Sequence, residues 1–386
     1  MSAASGSSKC YERIDSMLMW IFILAAVIAA FSFCICFLIN RIGKFYIIQK
    51  ITCGKKLSKI IISLILVIIS VLIMTAFINI VNAIICIIHL VIIWLICELI
   101  ALLIKKICKK EFKYYFTGIA SIILTIFYMS VGWYYAHEIF TTRYEINTDK
   151  DIGELKIVQF ADSHIGATFD SNGFSEQVCK MNSERADIIL ITGDFVDDGT
   201  SREDMISSCK ALRKFDSKYG VYYVFGNHDK GYYTNESRGW TENDLKENLI
   251  KNNVNILEDE SVLIDNRFYL IGRADRSEEH KEQGRADIKT LMEGLDRSKY
   301  TIVLDHQPND YEEESRSCAD LVLSGHTHGG QFFPINRLGE LIAGNDRTYG
   351  YEHRENTDFI VTSGIADWEI KFKTGCIAEY VVIDIK

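Results

Sequence analysis

Four long apolar runs near the start of the chain constrain its folding more than any other feature. Met17–Ile39 is uncharged over 23 residues, Ile60–Ile78 over 19 and Phe116–Ala136 over 21, while Ala83–Ile104 carries only His89 and Glu98 as ionisable groups. A bilayer hydrocarbon core takes about 20 helical residues, so each run is long enough to span it. Buried helices of a water-soluble core would show a polar stripe every three or four positions, and these runs show none. The first run also reads poorly as a cleaved signal, because Glu12 and Asp15 flank it and its apolar stretch is too long. A four-helix transmembrane region over residues 1–140 is therefore expected.

The loops set an orientation. Arg41, Lys44, Lys50, Lys55, Lys56 and Lys59 follow the first run, and Lys105, Lys106, Lys109, Lys110 and Lys113 follow the third. The link Asn79–Asn82 has no basic residue. Basic loops stay on the cytoplasmic side, which places residues 151–386 on the extracytoplasmic side of a cell membrane. Trp133, Tyr134 and Tyr135 would anchor the outer interface. His89 and Glu98 are separated by about 180° around a helix and about 13.5 Å along it, so they cannot pair within one helix. Anchoring is preferred to transport.

Charge divides the chain in the same place. Residues 1–150 hold 15 Lys+Arg against 7 Asp+Glu; taken from totals of 42 and 51, this leaves 27 against 44, a balance of −17, for residues 151–386. So acidic a back half argues against a nucleic-acid partner, since phosphate backbones are held mainly by Lys and Arg. Cys179, Cys209, Cys318 and Cys376 have no CxxC spacing, which disfavours a zinc ribbon and leaves any disulfide unassigned.

After a polar link, residues 141–153, the pattern changes to short β-rich runs over 154–386. Leu155–Phe160, Ile188–Thr192, Val221–Phe225, Tyr269–Gly272, Thr301–Leu304 and Leu321–Ser324 read as buried strands, and Phe359–Thr362 and Ile377–Ile385 add more. Met205–Phe215, Leu245–Asn252 and Ile288–Leu295 have helical spacing between them. Such alternation predicts an α/β sandwich with part of its sheet parallel.

Polar residues gather where these strands end. Asp162 and His164 follow the first strand, Gly193-Asp194-Phe195-Val196-Asp197-Asp198 the second, and Gly226-Asn227-His228-Asp229 the third. His306 follows Thr301–Leu304, and Gly325-His326-Thr327-His328-Gly329-Gly330-Gln331 follows Leu321–Ser324. Sites in open α/β sheets form at the carboxyl ends of strands. Oxygen and imidazole ligands without thiolate suit Mn²⁺, Fe²⁺ or Zn²⁺ rather than an all-oxygen calcium cage. The pairs Asp162/His164 and His326/His328 are i,i+2, and would share a face if the backbone stayed extended. No Gly-x-Ser-x-Gly competes with this chemistry.

The ordered blocks Asp-x-His, Gly-Asp-x-x-Asp, Gly-Asn-His-Asp, a later His and Gly-His-x-His resemble the calcineurin-like metallophosphoesterase family over residues 155–386. With spans in front, the ending Gly-His-Thr-His-Gly-Gly-Gln is similar to a membrane-associated branch that includes phosphodiesterases and UDP-2,3-diacylglucosamine hydrolases. The resemblance implies a four-layer αββα sandwich and two divalent metal ions. By the same resemblance Asp162, His164 and His328 would hold one ion, Asn227, His306 and His326 the other, and Asp194 would bridge them. His228 would protonate the leaving oxygen, and Asp197 would orient His228. Water activated by the ions would be the nucleophile, so no side-chain nucleophile is required.

One departure bears on the substrate. Many family members carry Arg after the second acid of the Gly-Asp block, where this chain has Asp198. A bidentate grip on a phosphomonoester dianion is lost there, so phosphodiesters or pyrophosphates of envelope lipids or lipid-linked nucleotides are favoured. Arg273, Arg276 and Arg285 are candidate substitutes. The alternative reading is a catalytically silent metal-binding sensor or interaction protein of the same fold. His280 and His353 lie outside every block and receive no role.

Overall fold

The computed structural model describes residues 28–109, 115–231, 238–280, 284–342 and 344–386. The chain divides into two compact units, Met1–Ser130 and Val131–Lys386.

The first unit is helical: α1 (Ile28–Ile42), α2 (Tyr46–Ile51), α3 (Lys56–Cys108) and the first part of α4 (Phe116–His137). Within α3 the backbone breaks at Asn79 (φ 69°, ψ 170°), inside the expected link between the second and third runs. Asn79 Oδ1 accepts from the backbone and side-chain amides of Asn82, capping the helix that restarts there. Val67 from one side of the break and Ile87, Val91 and Trp94 from the other share one cluster with Phe37 and Leu38 of α1. α3 and α4 are each long and apolar enough to cross a membrane, and α1 is shorter. Residues 17–27 of the first apolar run, with Lys110 and Lys113, lie outside the described residues. Glu98 is held by Arg41 at 2.6 Å and accepts from Tyr115 at 2.8 Å, while the His89 ring stacks on Tyr128 and its Nδ1 meets the Ile85 carbonyl.

The second unit is built on two six-stranded sheets. The strands are β1 (Ile139–Ile146), β2 (Leu155–Phe160), β3 (Ile188–Thr192), β4 (Val221–Val224), β5 (Val254–Ile256), β6 (Glu260–Ile264), β7 (Phe268–Gly272), β8 (Tyr300–Leu304), β9 (Leu321–Ser324), β10 (Gly350–Arg354), β11 (Thr357–Val361) and β12 (Ala378–Ile385). They pair as β1-β12-β2-β3-β4-β5 and β10-β11-β9-β8-β7-β6. Both sheets are mixed: β2 through β5 run parallel, as do β7, β8, β9 and β11, while β12, β6 and β10 pair antiparallel to their neighbours β2, β7 and β11. Strands buried on both faces read as continuous apolar runs, and alternate residues serve alternate layers. Ile157, Leu190, Leu270, Ile302 and Leu323 meet between the sheets. Val158, Phe160, Ile191 and Tyr223 face the helices α5 (Ser171–Asn182), α6 (Arg202–Leu212) and α7 (Glu242–Lys251). Ile271, Val303, Val322 and Phe359 face α8 (Ile288–Leu291) and Tyr311 of α9 (Tyr311–Arg316).

One expectation is corrected. The polar link 141–153 begins inside β1, which pairs parallel with β12 from Ile139↔Ala378 to Ile146↔Ile385, so the free link is shorter than expected. Helix α5 was not foreseen. Its signal was an Asp170 cap, whose carboxylate accepts from Asn172 and Gly173, ahead of buried Phe174, Val178 and Met181.

Candidate metal centre

Strands β2, β3, β4, β8 and β9 carry the expected polar blocks at their carboxyl ends. Backbone hydrogen bonds stitch the loops beyond them: Asp162 N donates to the Gly193 carbonyl (3.0 Å), His164 N to Asp194 (3.2 Å) and Gly325 N to His306 (3.0 Å). The convergence does not come from extended backbone. Asp162, His164, Asp194, His326 and His328 have φ of 52°, 34°, 52°, 72° and 47°, the left-handed region that costs residues other than glycine energy. The i,i+2 pairs thus meet because the chain turns sharply at both members.

Two groups of side chains result. Asp162, His164 and His328 bring one ligand atom each within 4.8 Å of one another, and so do Asp194, His306 and His326. Asp194 Oδ2 is 3.2 Å from His306 Nε2 and 3.7 Å from His164 Nε2, so one carboxylate reaches both groups. Asn227 Oδ1 lies 3.2 Å from His306 Nε2, and the His228 ring lies 5.0 Å from that of His164 and 5.3 Å from Trp368. All eight expected metal-site and proton-donor residues therefore fall in one place. Asp197 Oδ2 stands 3.4 Å from His164 Nδ1, and its charge also acts on His228.

The donor set fits divalent ions. His164 is fully buried and neither ring nitrogen makes a well-formed hydrogen bond, an arrangement costly without a Lewis acid partner. Burial disfavours the charged form of His164, but Asp197, Asp194 and Asp162 outweigh it and push its pKa up. Burial likewise opposes ionised Asp194, yet His306, His164 and His228 hold its carboxyl well below the usual range. His326 is pushed down to about 4 by burial and by His306. Imidazole and carboxylate packed this closely could hold metal ions.

Other residues support the site, among them Asp229 and Asp367, which received no role from the sequence. Buried Asp229 accepts from the backbone amides of Asp194, Phe195, Val196 and Gly226, tying the second and third blocks together. A Cβ at Gly226 would stand 2.1 Å from Asp194 Oδ1, so only glycine permits that approach. Asp367 Oδ1 lies 3.5 Å from His328 Nδ1 and accepts from Gln331 (3.0 Å), with fully buried Lys373 3.4 Å away. Trp368 and Glu369, with Asp197, Asp198 and His228, line a cleft of about 650 Å³ at the site. Nothing in local spacing marks residues 367–373, which reach the site only through the fold.

The candidate phosphate-binding arginines are corrected. Arg273 contacts Asp305, Asp310 and Glu314 at 2.9, 2.9 and 3.2 Å, and Arg285 is bonded to Asp305; both are buried in that acidic cluster. Arg276 is partly exposed, with Glu279 3.8 Å from its Nε. Buried Arg238 turns its Nη1 toward Asp198 at 3.7 Å. Among the described residues every cysteine is a free thiol, including Cys179, Cys209, Cys318 and Cys376.

The profile of the calcineurin-like phosphoesterases matches residues 155–330. A metallophosphoesterase of Aquifex aeolicus is 31% identical over 210 residues, covering 53% of this chain and 76% of that one. The chain belongs to the calcineurin-like metallophosphoesterase family. A metallophosphoesterase of Campylobacter jejuni is 30% identical over 239 residues, 60% of this chain and 59% of its own. A bovine protein named as a transmembrane protein with metallophosphoesterase domain is 31% identical over 242 residues, 59% of this chain and 52% of its own. The chain thus spans about 59% of the length of the Campylobacter relative.

Proposed function

We propose that this metallophosphoesterase is a membrane-anchored hydrolase of phosphodiesters or pyrophosphates. The observation that carries the reading is Asp194, whose one carboxylate lies against both His164 and His306 and so joins two metal-binding groups into one centre. In this reading Asp162, His164 and His328 hold one ion, Asn227, His306 and His326 hold the second, and Asp194 is shared. Two such ions, when bound, would supply Lewis acidity to an in-line displacement and an activated water at neutral pH.

The chain's own residues do the rest. Asp197 and Asp229 fix His164 and the backbone around Asp194, so the ligands are positioned before substrate arrives. His228 faces the cleft, which places its imidazole where a proton can pass to the departing oxygen. Asp197, Asp198 and Glu369 make the mouth acidic, which repels a dianionic phosphomonoester more than a singly charged diester. With Arg273 and Arg285 buried among carboxylates, an arginine grip on a dianion is not supplied from that segment. The apolar runs, the loop charges and the transmembrane relative support a multi-pass anchor with residues 151–386 outside the cytoplasm.

Purified full-length protein, loaded with Mn²⁺ and assayed on bis(p-nitrophenyl) phosphate, tests the reading; absence of product would defeat it. His228→Ala should lower turnover by about 10²–10⁴-fold while leaving the metal content unchanged.

A further inference from the structure

Nine large apolar side chains are exposed among the described residues of 138–386, and five of them, Phe333, Ile335, Leu338, Leu341 and Ile342, fall in one ten-residue segment. Leu341 is 82% exposed and Ile342 76%. Soluble domains rarely leave such a concentration in water, and where they do it marks a contact surface. The segment includes the short helix α10 (Leu338–Ile342) and begins two residues after Gln331, the last residue of the Gly-His-Thr-His block.

Its neighbours indicate what covers it. Phe333 N donates to Thr374 Oγ1, Thr374 N donates to the Gln331 carbonyl, and Lys373 N donates to the carbonyl of Gly132 in the last turns of α4. The Trp133 ring packs 5.7 Å from Phe372, and Trp133 and Tyr134 are themselves exposed. The apolar segment is therefore stitched to the end of a helix apolar enough to cross a membrane, beside aromatic rings of the kind that sit at headgroup level. From His137 only Glu138 precedes β1. Within Phe333–Ile342 the only charges are Arg337 and Glu340, so apolar burial rather than attraction to anionic headgroups would drive the contact.

We propose that Phe333–Ile342 inserts into the membrane interface and holds the metal centre at the bilayer surface, where a lipid-borne phosphodiester enters from the headgroup layer. This rests on the membrane-anchored reading above. A second copy of the chain is the competing occupant.

The test uses the full-length chain, reconstituted in phosphatidylcholine/phosphatidylglycerol vesicles, with p-benzoylphenylalanine placed at Leu341 or, as control, at Ile250. Ile250 is likewise apolar and exposed but sits on α7, against β5 at the sheet edge opposite β1. Illumination should give lipid adducts at position 341 at least about fivefold above those at 250, with little change between low and high salt because apolar burial dominates. Vesicle-retained, carbonate-resistant protein without lipid adducts at 341 would overturn the insertion and leave the anchor standing. Adducts to a second copy would overturn it in favour of an interface between chains. Extraction of the chain by carbonate would remove the anchored reading and this inference with it.

Discussion

Asp367 stands directly behind His328, its Oδ1 3.5 Å from Nδ1, while Nε2 of the same ring faces Asp162 Oδ1 at 3.9 Å. Burial opposes ionised Asp367, but Lys373 and His328 hold its pKa below the usual value. A carboxylate behind a ligating imidazole fixes the ring and its tautomer and raises its basicity. Asp367→Asn should therefore weaken Mn²⁺ binding by about 10–100-fold, measured by calorimetry on metal-stripped protein. Unchanged affinity would show that Asp367 does not position His328.

Lys373 completes that arrangement. Its ammonium is fully buried, donates to the Ser363 carbonyl at 2.6 Å and lies 3.4 Å from Asp367. Removing one partner of a buried pair strands the other charge, so Lys373→Met should destabilise the fold by about 3–5 kcal/mol. Adding Asp367→Asn should recover much of the loss. Urea unfolding of the single and double variants checks the pair, and additive losses would count against it.

At Gly226 the prediction concerns space. A methyl group there meets Asp194 Oδ1 at 2.1 Å and the Asp194 backbone N at 2.5 Å. Gly226→Ala must move the shared carboxylate or the third block. A displacement of about 1 Å costs about 10²-fold in rate, and metal stoichiometry by elemental analysis should fall with it.

Acid sensitivity should come partly from Glu258. It is half-buried and bonded to Lys230 and to Lys246 at 3.0 Å, with Glu242 and Glu278 also near Lys230. Burial favours its neutral form, but the two lysines prevail and lower its pKa below the usual glutamate value. A carboxyl depressed on folding adds stability that is complete above its unfolded pKa and is lost as pH falls through the folded one. Glu258→Gln should lower the urea midpoint at pH 7 and shrink its decline below about pH 4.5; an unchanged decline would exclude Glu258 as its source.

The order of the polar blocks was legible because strands buried on both faces write continuous apolar runs, and polar residues appear where each run stops. Leu155–Phe160, Ile188–Thr192 and Leu321–Ser324 match β2, β3 and β9 end to end. β1 was not legible, since its IFTTRYEI pattern is half polar and depends on β12, far along the chain, for its partner. Helix α8 ends at Leu291, short of the helical spacing that continues to Leu295.

Sequence by itself determined which chemistry is available: carboxylates, imidazoles and an amide at strand ends, on an apolar and charge-asymmetric chain. Tertiary structure decided how they are used. Five of the site residues adopt left-handed backbone that local preference disfavours and only the surrounding packing can hold. Asp197 turned to His164 and residues 367–373 came in from the far end of the chain, because side-chain partners are set by which loops the two sheets bring together, a long-range relation that neighbouring residues do not encode.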